Sequence, residues 1–366
     1  MNKNRIIDPD YQPEVTLMIA AFNERDFVDL KMKNTLDLDY PAEKLSIIWV
    51  TDGSDDGTPD LLQKYKNVMV YHLPERNGKI GAMNRGIRFV NTPIVIFSDA
   101  NTMISRESVR RMVALFSDPK VGCVSGEKRI IDREKDGAAG AGEGLYWKYE
   151  STLKKWDAEL YSVAGAAGEL FAIRSNLYIE MEKDTLLDDF MISLRVAQQG
   201  YTIQYDPEAY AIESASADIK EELKRKVRIS AGGIQSMIRL RSLLNIFRYG
   251  TLSFQYISHR VLRWSLAPLS LLLLIPFGAL LAFRETTVGL YNILFIFQII
   301  FYMAAMLGWY FENQSIRIKL LFVPYYFFIM NLSVFLGLRR FLKGSQSVNW
   351  VRAKRSIESS EINVNL

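Results

Sequence analysis

The stretch Ile94-Val95-Ile96-Phe97-Ser98-Asp99-Ala100-Asn101 decides the fold that we expect for this chain. Its four apolar residues run without polar alternation, which is typical of a short strand covered on both faces. An acid follows where the strand ends, and ligands of open α/β sheets bind at the carboxyl ends of the strands. Asp99 is thus placed to meet a metal ion bound to a phosphate. A turn that merely favours Asp and Asn is the plainer interpretation of the same residues.

Further apolar segments of this kind alternate with helical patterns in the first half of the chain. Strands are predicted at 15–21, 45–50, 68–71, 121–124 and 201–205. Strands that alternate with helices form right-handed crossovers and therefore a mostly parallel sheet. We expect an α/β domain with a mostly parallel, Rossmann-like sheet and helices on both faces. Residues 132–144, which are charged and then rich in Gly and Ala, indicate a flexible surface loop.

Three long runs in the second half of the chain contain no charged residue: Ser265–Phe283, Val288–Phe311 and Leu320–Leu338. Each reaches the roughly 18–20 residues that a helix needs to cross a bilayer. Basic residues cluster beside these runs, at 224–241 and 339–355, which suits the anionic headgroups of phospholipids. The sequence therefore predicts a membrane region that contacts lipids.

The segment 232–263 mixes apolar residues and arginines at helical spacing, so that one face is apolar and the other basic. Beside transmembrane helices this pattern indicates helices in the membrane interface, and packing on the soluble domain is the alternative. The predicted units are a soluble domain at 1–231, amphipathic interfacial helices at 232–263, a transmembrane region at 264–340 with helices at about 264–283, 288–311 and 319–339, and a basic tail at 341–366.

Composition bounds the compartment and the partners. Residues 1–14 are polar and show no secretory signal, so we expect a multi-pass protein of the inner (cytoplasmic) membrane whose soluble domain is cytoplasmic. The single cysteine, Cys123, fits a reducing compartment. A net charge of +4 is too small to indicate a nucleic-acid partner. Three spans place the tail outside, whereas its basic residues favour the inside, so its side stays open.

Acidic or amide side chains follow several predicted elements, namely Asn23, Glu24, Asp52, Asp99, Asn101, Asp188 and Asp189. When several of them lie at one edge of a sheet, they form a polar cleft. Neither a GxGxxG nor a GxxxxGK[ST] phosphate loop is present, which argues against a dinucleotide dehydrogenase and a P-loop ATPase. Side chains and a metal must therefore hold any nucleotide, and oxygen ligands favour Mg²⁺ or Mn²⁺.

The order and spacing of these segments over about 15–235 resemble glycosyltransferase family 2, with the GT-A fold, in its membrane-integrated branch of bacterial exopolysaccharide or glycan type. The matching segments are Ala20-Ala21-Phe22-Asn23-Glu24, Thr51-Asp52-Gly53-Ser54-Asp55-Asp56-Gly57-Thr58, Gly78-Lys79-Ile80-Gly81-Ala82-Met83-Asn84, Ser98-Asp99-Ala100-Asn101, Leu187-Asp188-Asp189 and Arg225-Lys226-Val227-Arg228. Each motif is weak alone, and the ordered set is specific.

The resemblance implies a role for each matching residue. The nucleotide-sugar is expected at Ala21, Asn23, Glu24, Asp52, Lys79, Asp99 and Arg228, with Asp52 facing the base. Asp99 and Asn101 occupy the D-x-D positions, which bind the metal and the sugar diphosphate. Asp189 matches the general base that accepts the proton of the acceptor hydroxyl. Asp188, Gly168, Glu169 and Arg225 are expected beside this base or on the acceptor side.

The resemblance implies an inverting hexosyltransferase. It would transfer a sugar from a nucleotide-sugar, UDP-linked in the first place, to a polysaccharide or lipid-linked acceptor. A processive synthase that secretes its product is one alternative, but such enzymes carry Q-x-x-R-W, and here Arg225 and Ile229 stand at the Gln and Trp positions. A non-catalytic membrane scaffold with a decayed domain is another, although Asp99 and Asp189 are both kept. The oligomeric state stays open.

Overall fold

The computed structural model describes residues 8–131, 137–214, 219–285, 288–314, 316 and 318–344. The strands are β1 Val15–Ala21, β2 Leu45–Asp52, β3 Met69–Leu73, β4 Ile94–Asp99, β5 Met103–Ile104, β6 Val121–Ile131, β7 Leu170–Arg174 and β8 Thr202–Ser214. The helices are α1 Arg25–Leu36, α2 Thr58–Leu62, α3 Gly78–Gly86, α4 Ser108–Ala114, α5 Gly137–Leu160, α6 Asp188–Gln198, α7 Ile219–Arg239, α8 Ile246–Tyr249, α9 Thr251–Tyr256, α10 Leu266–Arg284, α11 Leu290–Asn313 and α12 Lys319–Leu342.

The strands form one sheet in the order β3-β2-β1-β4-β7-β6-β8-β5. Four neighbouring pairs are parallel, namely β1 with β2, β1 with β4, β2 with β3, and β6 with β8. The other three pairs are antiparallel, because β7 runs opposite to β4 and β6, and β5 runs opposite to β8. The α/β fold predicted from the alternation of strands and helices is thereby confirmed.

Both faces of the sheet are buried. Leu17 and Ile19 of β1 belong to the apolar cluster on one face, while Met18 between them belongs to the cluster on the other. This explains why the strands show no alternation of apolar and polar residues, since alternate side chains of a strand point to opposite faces. Trp49 of β2 is fully buried within the same core.

Residues 137–144 differ from the expected flexible loop. They form the first turns of α5, while 132–136 lie outside the described residues. Three alanines stand at positions 138, 139 and 141, and Ala has the highest helix propensity of all residues. The glycines suggested a loop, but their cost of about 1 kcal/mol each in a helix is offset where the rest of a 24-residue helix continues from them.

The segment after α7 has two apolar sides. Leu243, Leu252 and Tyr256 are buried in the core of the α/β domain, whereas Phe247 is 99% exposed and Phe254 is 55% exposed. One side therefore packs on the α/β domain. This is the alternative that the sequence left open for residues 232–263. The exposed side keeps the apolar surface that the interfacial interpretation needs, and its location in the interface stays a prediction.

The last three helices, α10, α11 and α12, are long and apolar enough to cross a membrane. Most of their side chains are exposed, with Phe283 at 85% and Leu320 at 83%, so their surface is apolar and uncovered. Helix α12 also packs closely on α7: a Cβ at Gly337 would lie 2.7 Å from the Cβ of Ser230. The helix that carries Arg225 and Arg228 is thereby joined to the membrane region. Residues 345–366 of the tail lie outside the described part.

Candidate active site

A cavity of about 970 Å³ opens where β4 ends and α6 begins, and it continues between α10 and α12. Eight of the residues that the sequence predicted for the site line this cavity: Lys79, Asp99, Gly168, Glu169, Asp188, Asp189, Arg225 and Arg228. They come from segments far apart in the chain. The fold therefore brings most of the predicted chemistry into one space.

Lys79, in the first turn of α3, holds two of these acids. Its Nζ lies 2.7 Å from Asp99 Oδ1 and 3.1 Å from Asp188 Oδ2. Burial by itself lowers the pKa of Lys79, but Asp188 and Asp99 outweigh it and raise the pKa above its usual value. Lys79 is therefore a fixed positive charge that ties the end of β4 to the start of α6.

The pKa of the buried Asp189 carboxyl lies near neutral pH. Burial is the largest cause that raises its pKa, the Asp188 carboxylate adds to the rise, and the result is a pKa of about 7. The backbone of Gly168 passes close to it, since a Cβ there would lie 3.1 Å from Asp189 Oδ2. A base whose pKa is near the working pH is partly deprotonated and still basic enough to accept a proton.

Asp52 does not line the cavity. It is fully buried, and its Oδ2 accepts hydrogen bonds from the backbone N–H groups of Asn77, at 2.9 Å, and Gly78, at 2.7 Å. These amides begin α3, so Asp52 fixes the helix turn that presents Lys79. Its Oδ1 is buried without a hydrogen-bond partner, and burial raises the pKa of the carboxyl.

The segment after β1 is fastened to the loop after β2. Asn23 has a left-handed backbone, with φ of 53°, and its Nδ2 donates to Asp55 Oδ1 at 2.8 Å. The Glu24 N–H donates to Thr58 Oγ1 at 3.1 Å. Ala21 is buried at the end of β1. Ala21, Asn23 and Glu24 thus lie at the same sheet edge as Asp52, outside the wall of the cavity.

Two arginines of α7 reach the cavity. Arg225 forms a two-pronged ion pair with Glu222, at 2.8 and 3.0 Å. Arg228 lies near both acids of α6: its burial lowers the pKa of the guanidinium, and Asp188 opposes this shift. Helix α7 thus contributes two guanidinium groups to the wall of the cavity, one paired with Glu222 and one near the acids of α6.

Lys128 is a site residue that the sequence did not reveal. It is buried, and its Nζ lies 2.6 Å from Glu169 Oε1 and contacts the carboxylate of Glu213. Burial alone would raise the pKa of Glu169, but Lys128 outweighs it and lowers the pKa to about 2. Glu169 is therefore charged, and Lys128 fixes its position near Asp189. No motif marks Lys128, because its partners come from β8 and the turn before β7.

Two further arginines line the cavity at its membrane end. Arg260 Nη1 lies 2.6 Å from Glu150 Oε1, and Arg263 Nη1 lies 2.8 Å from Glu150 Oε2. These arginines hold the pKa of the buried Glu150 well below its usual range, although burial alone would raise it. The sequence pattern that could have marked these residues is a pair of arginines three residues apart, directly before an apolar run.

Fold and site together define the class of protein. A sheet of this topology with lysine-bound carboxylates at its edge, followed by long apolar helices, has the organisation expected of a GT-A-type fold joined to a membrane region. Residues 16–181, a little less than half of the chain, match the model of the family "Glycosyl transferase family 2".

Curated relatives are similar over about two thirds of the chain. Poly-β-1,6-N-acetyl-D-glucosamine synthase of Staphylococcus aureus (strain MSSA476) is 28% identical over 247 residues, which are 65% of this chain and 59% of the relative. The synthase of the same name from Staphylococcus epidermidis is 24% identical over 248 residues, with the same shares. The chain thus spans about 59% of the length of the relatives that it matches.

One solved structure is similar over nearly the whole chain. The mannosyltransferase from Pyrobaculum calidifontis, in complex with GDP-Man and Mn²⁺, superimposes with a TM-score of 0.70 at 20% sequence identity. The superposition covers 94% of this chain and 91% of that chain. The two proteins share a fold.

Proposed function

We propose that this protein transfers a sugar from a nucleotide-sugar to a hydroxyl group of a polysaccharide or lipid-linked acceptor, with inversion at the anomeric carbon. The observation that carries the proposal is that two acids line one cavity: Asp189, a buried carboxyl whose pKa is about 7, and Asp99, which is bound by Lys79. A carboxylate near the acceptor can take its proton. Fixed positive charge can stabilise the departing diphosphate.

The donor would be bound between the edge of the sheet and α7. Asp52 lies outside the wall of the cavity, and its buried Oδ1 has no hydrogen-bond partner; we propose that the nucleotide base lies towards this sheet edge, where a matching N–H would satisfy that oxygen. Lys79 and Arg228 would contact the diphosphate. We propose a UDP-linked donor, and the product named for the staphylococcal relatives, poly-β-1,6-N-acetyl-D-glucosamine, is consistent with an N-acetylhexosamine.

The residues present fit a divalent cation held together with the donor. Asp99 would supply a carboxylate from the wall of the cavity, and Asn101, which is not among the residues that line the cavity, would add an amide oxygen. Mg²⁺ is commonly held by one or two carboxylates plus substrate phosphates. Among the described residues, no group of three His, Cys, Asp or Glu side chains could hold a metal without substrate. Bound Mg²⁺ or Mn²⁺ would neutralise developing phosphate charge.

We further propose that the α/β domain lies at the cytoplasmic face of the inner membrane and that α10 to α12 span it. The length and apolar composition of α10 to α12 support the spanning part of this proposal. The predicted units, 1–231, 232–263, 264–340 and 341–366, describe this arrangement, although α7 is continuous across residue 231.

A processive polysaccharide synthase is the second candidate, favoured by the names of the staphylococcal relatives. Ile229, at the position of the Trp of chain-extending enzymes, is consistent with single transfer instead. A sizing gel of the product separates the two candidates: a ladder of long chains supports the synthase, and a single added sugar supports single transfer.

The direct test is Asp189→Asn, assayed for nucleotide release from a UDP-sugar with Mn²⁺ in native membranes. Removing a general base reduces rates by about 10²–10⁴-fold, and we expect a loss of this size with unchanged binding of the nucleotide. Glu180→Gln is the matched control, since Glu180 is an exposed acid that contacts Arg88 outside the cavity. Equal turnover of Asp189→Asn and the unmodified protein would refute the assignment.

A further inference from the structure

The end of β4 is held from both faces of the sheet. Alternate side chains of a strand point to opposite faces, so Ser98 and Asp99 leave β4 on different sides. Phe97 belongs to the apolar cluster on the face of α3, and Ile96 belongs to the cluster on the face of α1. Asp99 accordingly meets Lys79 of α3, at 2.7 Å, whereas Ser98 points towards α1.

On the side of α1, the partner of Ser98 is Lys31. This lysine is fully buried and does not line the cavity. Its Nζ donates to Ser98 Oγ at 2.7 Å and to the carbonyl oxygen of Thr102 at 2.7 Å. One nitrogen therefore joins the two ends of the turn that follows β4. The proposed metal ligands, Asp99 and Asn101, lie between these two ends.

The two contacts of Lys31 do not depend on its charge. Burial lowers the pKa of Lys31 to about 7, and Asp99 opposes this shift. A protonated amine has three N–H donors and a neutral one has two, so either form can serve both acceptors. Because an unpaired buried amine costs free energy, these hydrogen bonds hold the turn and the helix together.

The rest of the segment is fastened to the same helix. Thr102 Oγ1 donates to the carbonyl oxygen of Asp99 at 3.1 Å, which closes the turn. Asn34 Nδ2 donates to the carbonyl oxygen of Ile104 at 2.8 Å, and Asn34 Oδ1 accepts from the Ile104 N–H at 2.9 Å. Lys31 and Asn34 are three residues apart and so lie on one face of α1. This face supports the chain from the end of β4 to β5.

We infer that Lys31 is a positioning residue, which fixes the turn that presents Asp99 and Asn101 to a divalent cation and thereby raises the affinity for that cation. The inference rests on the proposed function, because it concerns the cation site proposed there. Groups that hydrogen-bond around metal ligands orient them, and their loss costs about 10–100-fold in metal affinity or activity. Lys31 lies outside the wall of the cavity, so it acts through the turn.

The test measures cation binding directly. The full-length protein in phosphatidylcholine nanodiscs is saturated with UDP and titrated with Mn²⁺, and the free ion is followed by electron paramagnetic resonance. Lys31→Met keeps nearly the same length of side chain but has no N–H donor. We expect it to raise the Kd for Mn²⁺ at least tenfold. An unchanged Kd overturns the inference.

The matched control is Lys33→Met, because Lys33 lies on the same helix and is exposed. Its Kd for Mn²⁺ should stay within twofold of the unmodified protein. A role of Lys31 in stability alone would lower the melting temperature of Lys31→Met and leave its Kd unchanged. A positioning role instead predicts that excess Mn²⁺ restores most of the turnover that Lys31→Met loses, while UDP binding without metal stays the same.

Ser98→Ala provides a second, milder variant. It removes one acceptor of Lys31 and leaves the other in place, so we expect the Kd for Mn²⁺ to rise about threefold. The double variant with Lys31→Met should bind Mn²⁺ no more weakly than Lys31→Met alone, since residues that share one contact do not act additively. If Lys31→Met shows no cooperative thermal unfolding, Ser98→Ala decides, and an unchanged Kd there overturns the inference.

The positioning role and the proposed function fail separately. If Lys31→Met and the unmodified protein bind Mn²⁺ equally well while the UDP-sugar is consumed, the positioning role is wrong and sugar transfer stands. If the unmodified protein with UDP binds no Mn²⁺, the positioning role is also wrong, and consumption of the UDP-sugar still decides transfer. Weaker Mn²⁺ binding by Lys31→Met without consumption of any nucleotide-sugar would instead remove the proposed function.

Discussion

The side of the cavity proposed for the donor and the side proposed for the acceptor are built in different ways. On the donor side, β1, β2, β4 and α3 hold the site through short local segments, such as the backbone amides of Asn77 and Gly78 on Asp52. On the proposed acceptor side, the site is assembled from α6, α10 and α12, which are distant in the chain, while α7 lies between the two sides and carries Arg228, which would contact the donor. Donor chemistry can thus be encoded in short motifs, whereas acceptor chemistry depends on how helices pack.

Lys79 contacts an acid from each side of the cavity, so its substitution should have the largest effect on activity. Lys79→Met leaves Asp99 and Asp188 without their shared cation. We expect kcat/KM for the nucleotide-sugar to fall about 10²-fold, since the loss of one preorganised charge costs about 10²–10³-fold. Steady-state kinetics against donor concentration measures it.

Lys64→Met serves as the control for that variant, because Lys64 is exposed and outside the cavity. Lys79→Arg should recover part of the rate, since it keeps the charge. If kcat/KM of Lys79→Met stayed within twofold of the unmodified protein, Lys79 would have no role in donor binding.

The pH dependence distinguishes the two sides through Asp189. Burial and the neighbouring Asp188 raise the pKa of Asp189 to about 7, and only the deprotonated carboxylate accepts a proton. The rate should therefore rise with pH and be about tenfold lower at pH 6 than at pH 8. Transfer rates at saturating donor across this range measure it. A flat profile would contradict the base assignment, and the residual activity of Asp189→Asn should lack the step.

The smallest expected effect on activity comes from shifting the carboxylate of Asp189 without removing it. A Cβ at Gly168 would lie 3.1 Å from Asp189 Oδ2 and 3.2 Å from its Cγ, so Gly168→Ala must displace the carboxylate by a few tenths of an ångström. We expect kcat to fall about 3- to 10-fold, because catalytic rates are sensitive to small misplacements. The KM for the donor should not change. A changed donor KM with normal kcat would place Gly168 on the donor side instead.

Most of the fold could be predicted from the sequence, because its signals are local. The predicted strands at 15–21 and 94–97 and the three apolar runs correspond to β1, β4 and α10 to α12. Local composition misled at 137–144, where glycines suggested a loop and the structure has a helix. The order of the sheet was beyond local signals, because β7 enters between β4 and β6 from a distant segment.

The residues of the candidate site also fall into two groups, those that the sequence marks and those that only the structure brings together. The sequence by itself marked Asp99, Lys79 and Asp189, since each stands in a short motif at the end of a strand or the start of a helix. Only the tertiary structure placed Lys128 against Glu169, and Arg260 and Arg263 around Glu150. The physical reason is that a motif fixes the residues of one turn, whereas a buried charge is stabilised by partners that folding brings from elsewhere in the chain.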